Sequence, residues 1–259
     1  MLVGDFVELG VRPGTVLVVH SSLSSLGWVC GGPVAVVRAL DEVLGPEGTL
    51  VVPTHSGGLS DPTGWVAPPV PQPWWEPIRD TMPAFDPHLT PTRMMGAIAD
   101  CVLRRPGTLR SAHPQVSFAA HGPQAEDVTA GHVLDHRLGE GSPLARLYDH
   151  DATVLFLGVG HDRNTSLHLA EYRSDWPGKS TETVGAPVVV DGERRWVTFE
   201  DVDLDESDFP AIGAGFAAAC AEGVRAGEVG HAVALLVRQR ALVDFAVEWM
   251  PGHRRGAAR

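Results

Sequence analysis

Lysine is almost missing from this chain. Lys179 is the single one in 259 residues, and arginine supplies the rest of 20 basic side chains set against 32 acidic ones. A formal charge of −12 without a basic cluster argues against a nucleic-acid binder, because such proteins neutralise phosphates with grouped Lys and Arg. Cysteine is scarce too. Cys30, Cys101 and Cys220 form an odd, scattered set with no C-x-x-C pair, which disfavours a disulfide framework or a structural zinc site. No run of about eighteen apolar residues occurs, and the stretch from Met1 to Glu8 lacks the basic start and cleavage site of an export signal. A soluble, cytoplasmic protein without a membrane partner is expected.

Several chemical signatures are also absent. Neither G-x-x-x-x-G-K-[ST] nor a full G-x-G-x-x-G is present, so nucleoside triphosphate and NAD chemistry gain no support. No G-x-S-x-G elbow marks a serine hydrolase of the common α/β type. Without H-x-H or H-E-x-x-H spacing, a metal-dependent hydrolase would have to gather His20, His55, His113, His161 and Asp162 from separate segments. No metal is expected.

What is present describes an α/β protein. Apolar runs at Val16 to Val19, Thr49 to Val52, Thr153 to Leu157 and Pro187 to Val190 read as strands, and helical patterns precede Gly45 and cover Ala97 to Arg104. At 44% hydrophobic, the length suits one domain over 1–259, with a central mixed sheet flanked by helices. Between Thr54 and Pro91 periodicity vanishes and Pro, Gly and Trp become dense. The spacing predicts a long ordered excursion or lid over 54–91, with Trp65, Trp74 and Trp75 packing it onto something. An acidic run, Glu200 to Asp208, opens an acidic C-terminal lobe and precedes a helix over Ala211 to Ala221. The segment Ala232 to Val247 reads as helical, then strand-like, and the Arg254-Arg255 tail as frayed.

Chemistry concentrates in Gly158-Val-Gly-His-Asp-Arg-Asn-Thr-Ser-Leu-His-Leu-Ala-Glu171. A buried strand runs through glycines into a helix that Asn164 or Thr165 can cap, and His168 and Glu171 are i,i+3 neighbours on one face. A first-turn histidine meets the positive end of the helix dipole while the carboxylate supplies a counter-charge. An imidazole oriented in this way is suited to general-base work. The loop Ser21-Ser22-Leu23-Ser24-Ser25 lies between a strand end and a helix, where hydroxyls and free N–H groups can hold phosphate oxygens. His113 and His121 bracket a short apolar strand, and Ser142-Pro143 opens a helix.

The order of these pieces resembles the aminoglycoside 3-N-acetyltransferase family. The matching motifs are Val19-His20-Ser-Ser-Leu-Ser-Ser-Leu-Gly27, Phe85-Asp86-Pro87 with Thr90-Pro91, Arg110-Ser-Ala-His113-Pro with Ser117-Phe-Ala-Ala120, Gly141-Ser142-Pro143, and the 158–171 segment. The resemblance implies acetyl-CoA as donor and a polycationic aminoglycoside as acceptor, acetylated at the 3-amino group of the 2-deoxystreptamine ring, with antibiotic resistance as the outcome. His168 becomes the expected base, Glu171 its orienting partner and His113 an alternative base. Thr165 or a backbone N–H in the glycine-rich turn becomes the oxyanion donor. His20 and Ser21 to Ser25, together with Ser142, Pro143 and the phosphate partner Arg93, are expected to hold CoA. Asp61, Asp86, Asp203 and Asp205 are assigned to the acceptor's ammonium groups. A non-catalytic acidic binder of cationic drugs is the remaining alternative, and the assembly is expected to be a monomer or a homodimer.

Overall fold

A computed structural model describes residues 1–254. In chain order its helices and strands are α1 (Leu2–Leu9), β1 (Val16–Ser21), α2 (Gly32–Leu44), β2 (Thr49–Pro53), α3 (Trp75–Thr81), α4 (Gly96–Leu103), β3 (Leu109–Arg110), β4 (Phe118–His121) and α5 (Ala125–Thr129). There follow α6 (Pro143–Asp149), β5 (Thr153–Leu157), α7 (Ser166–Arg173), β6 (Thr181–Val190), β7 (Glu193–Val202), α8 (Phe209–Ala219), β8 (Val224–Val229), β9 (Ala232–Arg238) and α9 (Gln239–His253).

Seven strands make one mixed sheet in the order β3-β4-β2-β1-β5-β9-β8. Its centre, β2-β1-β5, is parallel, and the outer pairings are antiparallel. Central strands need apolar side chains on both faces, which is why β1, β2 and β5 read as unbroken apolar runs rather than alternating ones. Within β1, Leu17 and Val19 face a core built with α1, α2 and α4, while Val16 and Val18 face another built with α5 to α9. That two-sided burial is the strand's period of two expressed in three dimensions.

Among the described residues, strands β6 and β7 pair only with each other, as a hairpin beside the main sheet. Pro187 to Val190 is thus the end of a longer strand, and the acidic run begins inside β7, since Glu200, Asp201 and Val202 are strand residues. Gln115 fastens the hairpin to the core, donating from Nε2 to the carbonyls of Gly185 and Leu59, both at 3.0 Å. The 54–91 excursion is ordered around short helices, including α3. Arg110 holds it down by donating to the carbonyls of Thr90 (2.6 Å) and Thr54 (2.8 Å) while lying over the Phe85 ring. Arg194 of β7 donates to the carbonyls of Met82 and Arg79, tying excursion to hairpin.

Two expectations are corrected. Ala232 to Val247 runs strand first and helix second. The alternating Ala232-Val-Ala-Leu-Leu-Val237 pairs with both β5 and β8, and buried Gln239 ends the strand by donating its backbone N–H to Ala152 (2.9 Å) and its Nε2 to the Leu144 carbonyl (3.2 Å). Arg254 is not frayed. Its side chain is buried and paired with Glu171 and Asp208, whereas Arg255 lies outside the described residues.

Candidate active site

Strands β1, β2 and β5 end along the same edge of the sheet, with Ser21 opposite Leu157 in register. Parallel strands of α/β sheets open crevices beyond their carboxyl ends, where the connections of neighbours diverge to opposite sides. Here a cleft of about 460 Å³ occupies that position. His20 and Ser21 reach it from β1, His55 from just beyond β2, and Thr165 and His168 from the loop and helix after β5.

His168 stands in the first turn of α7 and is 9% exposed. Its Nδ1 is 2.6 Å from Glu171 Oε2, the geometry that the i,i+3 spacing predicts. Glu171 is fully buried, and its other oxygen accepts from Arg254 (2.6 Å) and from the backbone N–H of Asp205 (2.9 Å). A buried carboxylate costs several kcal/mol unless it is paired, and three donors here meet that requirement. The Phe209 ring packs edge-on against the imidazole at 4.9 Å. With Nδ1 donating to the carboxylate, Nε2 is left as the acceptor of a ring that lines the cleft.

The surrounding histidines are neutral at neutral pH. Burial, reinforced by His161 and His168, pushes His20 down to about 3, and burial followed by the same kind of repulsion pushes His55 down to about 3. His20 stacks on Phe156 at 5.4 Å, and its Nε2 lies 3.3 Å from the Thr165 hydroxyl. His55 Nε2 is buried with no partner among the described residues, an orphaned polar atom beside the cleft. Asn164, not Thr165, caps α7: its Oδ1 accepts from the Ser166 N–H (3.2 Å).

The serine loop is a short 3-10 turn, Leu23–Leu26. Ser22 and Ser24 share a hydroxyl contact, Ser25 donates to the Gly158 carbonyl (3.2 Å), and the loop leads directly from the cleft-lining Ser21. Arg93 also lines the cleft and forms no ion pair among the described residues.

Other predicted site residues are not brought together. His113 is fully buried; its Nδ1 accepts from the N–H groups of Gln115 and Val116, which leaves Nε2 to donate to Leu134 (3.2 Å). With both nitrogens occupied it has no capacity to act as a base. Ser142 is likewise fully buried, capping α6 and donating to the Gly139 carbonyl (2.6 Å), with Pro143 buried behind it. They shape a helix start rather than a ligand surface.

Among the four aspartates, Asp61 is bound through both oxygens to Arg79 (2.9 Å each), and Asp86 closes its own turn by accepting from His88 and Leu89. Asp203 accepts from Ser180, and Asp205 from Ser207. None of the four lines the cleft; Asp162 and Glu206 do. Residue reasoning missed Glu206 and Arg254, and only the composition of the acidic run hinted at the former. Among the described residues no three His, Cys, Asp or Glu side chains converge as metal ligands, and no helix is long and apolar enough to cross a membrane.

Fold and site together define an α/β protein with a carboxylate-bound imidazole at the carboxyl edge of a parallel core, an arrangement equipped for proton transfer. The family model for aminoglycoside 3-N-acetyltransferase matches residues 18–251. The chain is 43% identical to the SPbeta prophage-derived aminoglycoside N(3')-acetyltransferase-like protein YokD of Bacillus subtilis (strain 168), over 95% of this chain and 89% of that one. The crystal structure of YokD superposes with a TM-score of 0.93, covering 97% and 92% of the two chains at 41% identity. Aminoglycoside N(3)-acetyltransferase VII of Streptomyces paromomycinus is 37% identical over 96% and 90%. The binary complex of AAC-IIIb with CoASH gives a TM-score of 0.86 at 32% identity, covering 100% and 97%. The chain belongs to the aminoglycoside 3-N-acetyltransferase family.

Proposed function

We propose that this chain, acting as one catalytic domain, transfers the acetyl group of acetyl-CoA to the 3-amino group of the 2-deoxystreptamine ring of aminoglycosides, and so confers resistance. The observation that carries this reading is the His168–Glu171 pair at the cleft, with Nε2 free to accept a proton. An ammonium has no lone pair, so the acceptor must lose a proton before or during attack, and His168 Nε2 takes it. Glu171 orients the ring and stabilises its cation. The Thr165 hydroxyl, or a backbone N–H of the glycine-rich turn, donates to negative charge developing on the carbonyl oxygen. Acetyl-CoA supplies an acyl group already activated as a thioester. Direct transfer fits this chain, since no cysteine lines the cleft.

The donor's fit is supported by the orphaned His55 Nε2, by Ser21 lining the cleft, and by the Arg93 guanidinium, which forms no ion pair among the described residues. Glu206 and Asp162 replace the four aspartates as partners for the acceptor's ammonium groups. The test is incubation with acetyl-CoA and a panel of 4,5- and 4,6-disubstituted aminoglycosides, following CoA release and mapping the products by mass spectrometry and NMR. Release of CoA with a product acetylated on the 3-nitrogen is expected. Tight binding without CoA release would instead make the protein an acidic sequestering agent.

A further inference from the structure

We propose that Arg254 is a positioning residue: it holds the Glu171 carboxylate so that the proton of His168 stays on Nδ1 and Nε2 remains the acceptor. The proposal rests on the transferase reading for its kinetic consequences only.

The geometry carries it in three steps. First, Arg254 is well anchored. It lies one residue beyond α9, its side chain is 8% exposed, and it donates from Nε and a terminal nitrogen to the two oxygens of Asp208, both at 2.7 Å. It also donates to the Asp205 carbonyl (2.6 Å) and lies over the Trp176 ring at 4.7 Å. Second, its remaining terminal nitrogen donates to Glu171 Oε1 (2.6 Å), the oxygen that does not meet His168. Opposed donors on the two oxygens leave the carboxylate one orientation.

Third, the alternative state is chemically defined. Without the guanidinium, the buried carboxyl keeps only the Asp205 N–H on Oε1 and loses its full positive partner. It can then take the proton and donate O–H to Nδ1. The imidazole, having given its Nδ1 proton to the carboxyl, then carries a solvent-derived proton on Nε2, where it blocks acceptance of a proton from the acceptor amine. The exchange takes up one proton from solvent: the Nδ1 proton passes to Glu171, the solvent proton binds Nε2, and the pair goes from one net negative charge to neutral.

The experiment combines kinetics with ¹⁵N-histidine NMR on the full chain, with Arg254→Ala, Arg254→Lys and Asp208→Asn, and with His168→Ala to assign the resonance. For Arg254→Ala we expect kcat to fall about ten-fold or more while KM for either substrate changes less than about two-fold. Added guanidinium should restore part of kcat, and Arg254→Lys should lie between. In wild type the His168 signals should report a protonated Nδ1 and a bare Nε2; in Arg254→Ala the Nε2-protonated form should appear. A kcat loss with the tautomer unchanged, or a variant indistinguishable from wild type in both, overturns the proposal. If Arg254→Ala does not fold, Asp208→Asn, which loosens the anchor alone, must shift the same tautomer or the idea fails. Wild type that turns over no aminoglycoside removes the transferase reading, and the NMR comparison still decides what Arg254 does.

Discussion

A neutral imidazole has one proton and two nitrogens, and at position 168 the Glu171 carboxylate meets Nδ1, which leaves Nε2 towards the cleft. The pair is local, three residues apart in one helix turn, yet the carboxylate's orientation depends on groups 34 and 83 residues away in the chain. Two substitutions separate these roles. His168→Ala removes the proposed base and should lower turnover by about 10²-fold or more with an unchanged far-ultraviolet circular dichroism spectrum. Glu171→Gln keeps the shape but offers an amide to donors on both sides, so it should also lower kcat by about 10²-fold while preserving acetyl-CoA binding. Steady-state kinetics and calorimetric titration check both; near-normal turnover of His168→Ala would remove the base assignment.

At the scale of elements, the site depends on a tight junction where β5 leaves the sheet. Gly158 adopts φ of +69°, its carbonyl receives the Ser25 hydroxyl, and a Cβ there would come within 2.3 Å of the Ser25 Cβ. The serine loop and the β5 exit can therefore approach only because this residue is glycine. Gly158→Ala should destabilise the fold by roughly 1–3 kcal/mol and push the serine loop, and with it the cleft-lining Ser21, out of place. Urea denaturation should show the first effect, and a raised KM for acetyl-CoA the second. Unchanged values in both would mean that the loop is not held in place for ligand binding.

For the whole molecule, neutral buried histidines set a pH limit. Burial holds His20, His55 and His113 down at about 3 and His132 at about 4, each against an ordinary value of 6.5. Between 6.5 and these depressed values the unfolded chain binds more protons than the folded one, so stability is complete above about 6.5 and is lost as pH falls below it. His113 and His132 make the effect global. Their rings pack at 4.8 Å, with the Gln115 and Val116 N–H groups donating to His113 Nδ1 and the Ser111 hydroxyl facing His132 Nδ1, so protonation at Nδ1 sets a proton against these donors and loosens the turn between β3 and β4. Urea-unfolding free energies measured at about pH 7 and about pH 5 should fall towards the lower value, and a flat profile would contradict this account.

What could be read along the chain is what short-range physics controls. Apolar runs of strand length, the turn glycines, the helix that begins after Asn164 and the placing of His168 beside Glu171 all follow from dihedral preferences and the 3.6-residue period. The same reasoning inverted Ala232 to Val247, because a short apolar stretch suits either period until β5 and β8 arrive on both sides of it. It made His113 an alternative base and gave Ser142 and Asp61 ligands to hold, since nothing local distinguishes a histidine, serine or aspartate satisfied by the fold from one held open for chemistry. Tertiary structure made that distinction by filling their hydrogen-bonding capacity with backbone groups and Arg79. It also carried Arg254 and Glu206 to the site, across distances at which side-chain pattern holds no information and packing alone selects the neighbours.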